Sequence, residues 1–194
     1  MVDIEKLKKL REETALSWDD CKKALEMANN DLEKAKTILR EMGKESIKER
    51  AEKITKAGIV ACYQHSNKRI GVLVELACES DFVARSEDFE KLAHEICLQV
   101  AALKPQFLKP EDIPQEILEK EREVYLKQIE ASNKPKEILD KIIEGKLEKF
   151  KEENSLLLQP WIKDEKKKII NLLEEAQSKF GEKIEIKRFT RFEI

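Results

Sequence analysis

The chain has 194 residues, with 38 basic and 40 acidic side chains, a net charge of −2, 41% hydrophobic residues and 40% charged ones. That length holds one ordinary domain plus a small one, or two small ones. The balanced charge excludes the basic excess by which a nucleic-acid binder grips phosphates, and no apolar run approaches the ~18 residues needed to span a bilayer, so neither partner is expected.

The opening "MVDIEKLKKLREE" lacks the apolar stretch of a signal peptide. The cysteines Cys21, Cys62, Cys78 and Cys97 are scattered, without a Cys-x-x-Cys pair. With only His65 and His94 to complete a ligand set, buried thiols in a reducing cytoplasm are expected rather than a zinc site.

Residues 1–43 predict a bundle of three short helices. Ile4, Leu7 and Leu10 share one face of the first, and Ser17 is placed to cap the second, where Cys21, Ala24, Leu25 and Ala28 recur at helical spacing. Asn30 and Glu33 have the spacing of a capping box for the third, lined by Leu32, Ala35, Ile38 and Leu39 and stopped by Gly43. Residues 44–56 are polar and helix-prone, and read as a helical linker.

From residue 57 to 194 an α+β core is expected. "GIVACYQH" and "RIGVLVELAC" are rich in strand formers, and Ile70, Val72, Val74, Leu76 and Cys78 alternate strictly. With "SNK" between them they predict a hairpin, in which Gly71 marks a bulge or a close approach. Ser86 then has the position of an N-cap, followed by a buried stripe from Phe89 to Leu103 that ends before Pro105. Helices are predicted from about Gln115 to Ala131 and, after Asn133-Lys134-Pro135, to about Glu153. "SLLLQPWIKD" reads as a break. Asp164 is placed to cap a further helix, carrying Lys166-Lys167-Lys168 on a solvated face and Ile169, Leu172, Leu173, Ala176 and Phe180 inward up to Gly181. The closing "EKIEIKRFTRFEI" predicts a third strand, with a twist or bulge where Phe189 breaks the alternation. A lone hairpin is marginal in water, so the three strands are expected in one antiparallel sheet covered by helices on one side.

Catalytic motifs are missing. No Gly-rich phosphate loop occurs, no pair of carboxylates stands apart from the charged helical faces, and His94 and Cys97 lie three residues apart on what reads as the apolar face of one helix. His65 reads as an exposed turn residue. Neither an enzyme nor a cofactor is expected. Two aromatic residues are unexplained by periodicity. Phe82 falls after the strand and before the Ser86 cap, where it either folds back as a staple under the corner or projects as an anchor for a partner. Trp18, at the start of the second helix, offers the same two readings.

Four ordered blocks, "SWDDCKKALEMANNDLEKA", "VELACESDFVAR", "IIEGKLEKFKEENSLLLQPWIKD" and "FGEKIEIKRFTRFEI", resemble the bacterial elongation factor Ts family across essentially the whole chain. The resemblance implies a guanine-nucleotide exchange factor that binds elongation factor Tu, works without bond chemistry, and has an N-terminal bundle similar to a ubiquitin-associated domain. The family's Thr-Asp-Phe-Val signature stands here as Ser80-Asp81-Phe82-Val83. By resemblance, Phe82 is a wedge that enters the GTPase and disturbs its magnesium site, with Asp81 assisting. The family's Met-Met-Asp-Cys-Lys segment corresponds to Trp18-Asp19-Asp20-Cys21-Lys22, which places Trp18, Cys21 and Lys22 against the same partner, while Asp19 departs from the pattern. Longer relatives have a core of two similar halves. This chain has room for one, so a homodimer is expected, formed through a sheet edge or through the helices within 115–160. The alternatives are a non-catalytic adaptor that binds partner helices and, on the His94/Cys97 coincidence alone, a hydrolase or transferase.

Overall fold

The computed structural model describes residues 2–14, 16, 18–50, 52–129 and 136–194. Ser17 and Asn133-Lys134-Pro135, expected at a cap and a helix break, lie outside them.

Helix α1 spans Ile4–Thr14, α2 Trp18–Met27 and α3 Leu32–Arg50. Leu7 and Leu10 from α1, Cys21, Ala24 and Leu25 from α2, and Ala35 and Leu39 from α3 share one buried cluster with Ala28. The helix starts are set by aspartates rather than by Asn30. Asp3 Oδ1 accepts the N–H groups of Glu5 (3.0 Å) and Lys6 (3.3 Å), and Asp31 Oδ1 accepts those of Glu33 and Lys34, each at 3.1 Å. Asn30 instead occupies the left-handed region with Asn29, at φ of 62° and 52°, which asparagine tolerates better than most residues. Its Oδ1 accepts the Asp3 N–H at 2.9 Å, tying the α2–α3 loop to the start of α1. Gly43 does not stop α3. A helix-interior glycine costs only ~1 kcal/mol relative to alanine, no breaker follows it, and the helix runs on to Arg50.

Strands β1 (Ala57–Gln64) and β2 (Ile70–Cys78) form the expected hairpin, closed by the His65 N–H on the Ile70 carbonyl at 2.9 Å. Helix α4 is the single turn Asp81–Ala84, and α5 spans Glu87–Leu103, capped as expected by Ser86, whose Oγ accepts the Phe89 N–H at 3.3 Å. Helices α6 (Gln115–Ile129) and α7 (Lys136–Asn154) follow. A small antiparallel ribbon then pairs β3 (Pro160–Trp161) with β4 (Asp164–Lys168), before α8 (Ile169–Phe180) and β5 (Glu185–Glu193). The antiparallel three-stranded sheet has the order β1-β2-β5. On β2, Val72, Val74 and Leu76 are buried on one face, while the other face is open at Leu73 and covered only toward its end, at Ala77. On β5 the inward set changes parity after Ile186, with Lys187 and Arg188 both exposed before Phe189 turns partly in.

The ribbon corrects the sequence reading. Asp164 opens a strand, not a helix, and the lysine run 166–168 lies on that strand. The helix begins one residue later, where the Lys168 N–H donates to Asn171 Oδ1 at 3.0 Å, half of a capping box. Gly71 meets nothing nearby. The close approach belongs to Gly58, where an added Cβ would lie 2.8 Å from Ala77 Cα.

The chain divides into two compact units. One holds the stretch through Ile59, Leu76–Leu92 and Leu172–Glu185. Beside the helical cluster it buries Leu76, Val83, Phe89 and Ile184, and the Phe89 and Phe180 rings meet edge to face at 6.3 Å. The other holds Val60–Glu75, Ala93–Asn171 and Ile186–Ile194, and buries Val72, Val74, Ile96, Cys97, Val100, Ile143, Leu156 and Ile169. Its "LLLQPW" turn is pinned by two buried glutamines. Gln99 Nε2 donates to Gln159 Oε1 (3.2 Å) and to the Pro160 carbonyl (3.0 Å), and Gln159 Nε2 donates to the Glu153 carbonyl (2.7 Å).

Candidate functional site

The corner after β2 is built by an abrupt change of period. Cys78, the last residue of β2, is fully buried, and two residues later Ser80 takes extended backbone angles, φ −127° and ψ 151°, as the cap of α4. Ser80 Oγ accepts the Val83 N–H at 3.3 Å. One helical turn then distributes its side chains sharply. Val83 and Ala84 are 4% and 3% exposed, whereas Phe82 is 87% exposed and borders a shallow depression with Asp81, Arg85 and Ser86. Of the two readings open for Phe82, the staple is therefore excluded. Asp81 is exposed in the first turn, and Val83 anchors the corner to the core.

Two acidic residues brace this corner; both fall inside the quoted blocks, and periodicity singles out neither. The Glu182 carboxylate accepts three hydrogen bonds, from the Glu79 N–H (3.2 Å), the Ser80 N–H (3.0 Å) and the Ser80 hydroxyl (2.5 Å). Glu79 reciprocates, accepting the Lys183 N–H at 2.6 Å and pairing with the Lys53 ammonium at 3.0 Å. Glu182 follows Gly181, which terminates α8 in the left-handed conformation at φ 71° and so turns the chain toward β5. Cys78 lies against the same corner, its thiol donating to the Ser80 carbonyl at 3.2 Å. Burial first, and then the negative charge of Glu182, push that thiol above its ordinary pKa.

In the N-terminal bundle, Trp18 is 40% exposed and, with Lys8, Arg11 and Glu12, lines a shallow depression. Lys22 is exposed. Cys21 is fully buried with its thiol 3.6 Å from the Thr14 hydroxyl, so it packs the bundle.

The nucleophile coincidence dissolves. Cys97 is fully buried, and burial, with Cys62 adding to it, pushes its thiol up to about 11. His94 is exposed, its ring 5.9 Å from that of Tyr63, so the two do not share the apolar face. His65 is half-buried and hydrogen-bonded to the Tyr63 hydroxyl at 2.8 Å rather than free in the turn. Cys62 departs from the expectation of buried thiols by being exposed. Among the described residues no group of three or more His, Cys, Asp or Glu side chains is placed to hold a metal ion, and no helix is long and apolar enough to cross a membrane.

Fold and corner together define an α+β protein that carries an exposed aromatic residue on a braced elbow. A family model described as elongation factor TS matches residues 5–194. Over its full length the chain is 47% identical to elongation factor Ts of Thermosipho melanesiensis, covering 99% of that protein. It is 49% identical over 193 residues to elongation factor Ts of Thermotoga maritima and of Thermodesulfovibrio yellowstonii, covering 96% of each. The chain belongs to the elongation factor Ts family and is a translation elongation factor.

Proposed function

We propose that the protein is a guanine-nucleotide exchange factor for elongation factor Tu, acting in the cytoplasm through contact alone, with Phe82 as the group that enters the GTPase. The observation that carries this reading is an aromatic ring 87% exposed on a turn whose next two residues, Val83 and Ala84, are buried in the core. A ring so placed gains nothing for its own subunit. Buried in a partner, it contributes ~2–3 kcal/mol.

The mechanism is a matter of linkage. A factor that weakens the GTPase's hold on GDP must itself be held less tightly by the GDP-bound form, by the same ratio. It therefore favours the nucleotide-free form and lowers the barrier toward it. Magnesium neutralises phosphate charge, so a wedge that shifts the ion's surroundings loosens the nucleotide without any bond being made or broken. Asp81 sits beside the wedge, and Trp18 and Lys22 offer a second contact from the bundle.

The test is release of a fluorescent GDP analogue from elongation factor Tu. Phe82→Ala should lower the stimulated rate by about two powers of ten if the burial energy is expressed fully at the transition state. Its melting temperature should stay put, because substitutions at exposed positions remain within about ±0.5 kcal/mol. An unchanged rate removes the wedge, and a protein that binds without altering GDP release is an adaptor instead.

A further inference from the structure

We infer that Glu182 is the positioning residue for the Phe82 elbow, setting the productive orientation of the ring without touching the partner; this rests on the exchange reading given above. A helix of four residues cannot sustain itself, since helices shorter than ~12–15 residues are marginal even in favourable sequences. Helix α4 is such a turn, and its own hydrogen bonds begin only at the Ala84 N–H, which donates to the Ser80 carbonyl at 3.1 Å.

The earlier polar groups of the corner are fixed from outside. Glu182 takes the N–H groups of Glu79 and Ser80 on one carboxylate oxygen and the Ser80 hydroxyl on the other. Donation to Glu182 orients that hydroxyl so that a lone pair faces the Val83 N–H, which it accepts at 3.3 Å. A relay therefore runs from Glu182 through Ser80 to the residue after Phe82. Hydrogen bonds to a charged acceptor are about twice as strong as neutral ones. The second brace, through Glu79, reaches the residue next to Glu182, so the two chain segments hold each other at both points.

Fixing the elbow before the partner arrives removes an ordering cost from the encounter. Without Glu182 the same ring would be present but would sample orientations, and the partner would have to select among them.

The experiment uses the full chain with Glu182→Ala, Glu182→Gln and Phe82→Ala, singly and combined. Glutamine keeps the length and an acceptor oxygen for the backbone N–H groups. Glu182→Ala should lower stimulated GDP release by about tenfold, the size expected when charge-assisted hydrogen bonds are lost. Glu182→Gln should restore it to within about threefold of the parent. In the Phe82→Ala background, Glu182→Ala should change nothing further, because it acts through the ring. An equal fall in both backgrounds would overturn the inference and leave the role of Phe82 standing.

Amide hydrogen exchange at Ser80 and Val83 gives a readout that needs no partner. Protection should be lost in Glu182→Ala and kept in Glu182→Gln, with Leu76 protected in both. Retained protection at Ser80 and Val83 in Glu182→Ala would refute the clamp even if Phe82 proved irrelevant to exchange. Should the alanine variant not fold, Glu182→Asp keeps the charge and loses the reach. It should then show the same loss of protection, and full protection there would count against the inference.

Discussion

Phe82 is exposed because the residues that follow it are not. Val83 and Ala84 enter the core, Cys78 ends the strand inside it, and a turn held at those points leaves the remaining side chain directed at solvent. The same contrast separates the cysteines. Cys21, Cys78 and Cys97 are buried and Cys62 is exposed. Burial raises the Cys78 and Cys97 thiols above their ordinary pKa, Cys97 to about 11, and the thiolate is the reactive species. A chromogenic disulfide reagent at pH 8 should therefore consume one thiol rapidly in the native protein and four after unfolding. Cys62→Ser should abolish the rapid phase, and a rapid phase that survives it would place a second thiol at the surface.

At the scale of elements, the end of β5 is tied to the end of α5 by charge. Glu193 accepts from Arg191 Nη1 and from Lys104 Nζ, each at 2.7 Å. The Arg191 hydrogen bond first, then that of Lys104, lower its pKa from 4.5 to about 2. A carboxyl whose folded pKa is depressed contributes stability that is complete above its unfolded value and disappears as pH falls through its folded value. Melting curves should show Glu193→Gln less stable than the parent at pH 7, with the difference closing toward pH 2; a gap that persists there would mean lost packing, not lost charge. The elements that could be read from sequence were those whose pattern repeats. The alternation of β2, the stripe of α5 and the inward set of α8 each extend over several turns or pleats, so tertiary packing had no reason to contradict them. What escaped was decided by single contacts. Asp164 has the chemistry of either a cap or a strand start, and only its pairing with Trp161 selects the strand. Gly58 rather than Gly71 makes the close approach, because its partner lies across the hairpin. Phe82 could be singled out as an outlier, but its direction depended on Glu182, distant in sequence and lost among the chain's other carboxylates.

For the whole molecule, the order β1-β2-β5 leaves β1 and β5 as edges, and Val60 on β1, Leu73 on the central β2 and Phe192 on β5 are exposed large apolar residues, at 68%, 45% and 68%. Beside them Glu75 and Arg188 pair at 2.6 Å. A surface with apolar groups and both signs of charge can be its own complement across a two-fold axis. We propose a second copy of the chain as its occupant, which is the homodimer expected from a core with room for one half. Light scattering at micromolar concentration should give twice the chain mass of 22.6 kDa, and Phe192→Glu should halve it; a monomeric parent would remove the proposal. The clamp on the elbow also has a meaning in time. Glu182 is made 102 residues after Ser80, which at about 5–20 residues per second is a delay of roughly 5–20 s. During that interval a ribosome-borne chain carries the exposed aromatic residue but not the strut that steadies it, so the elbow is set only when nearly the whole chain has been made.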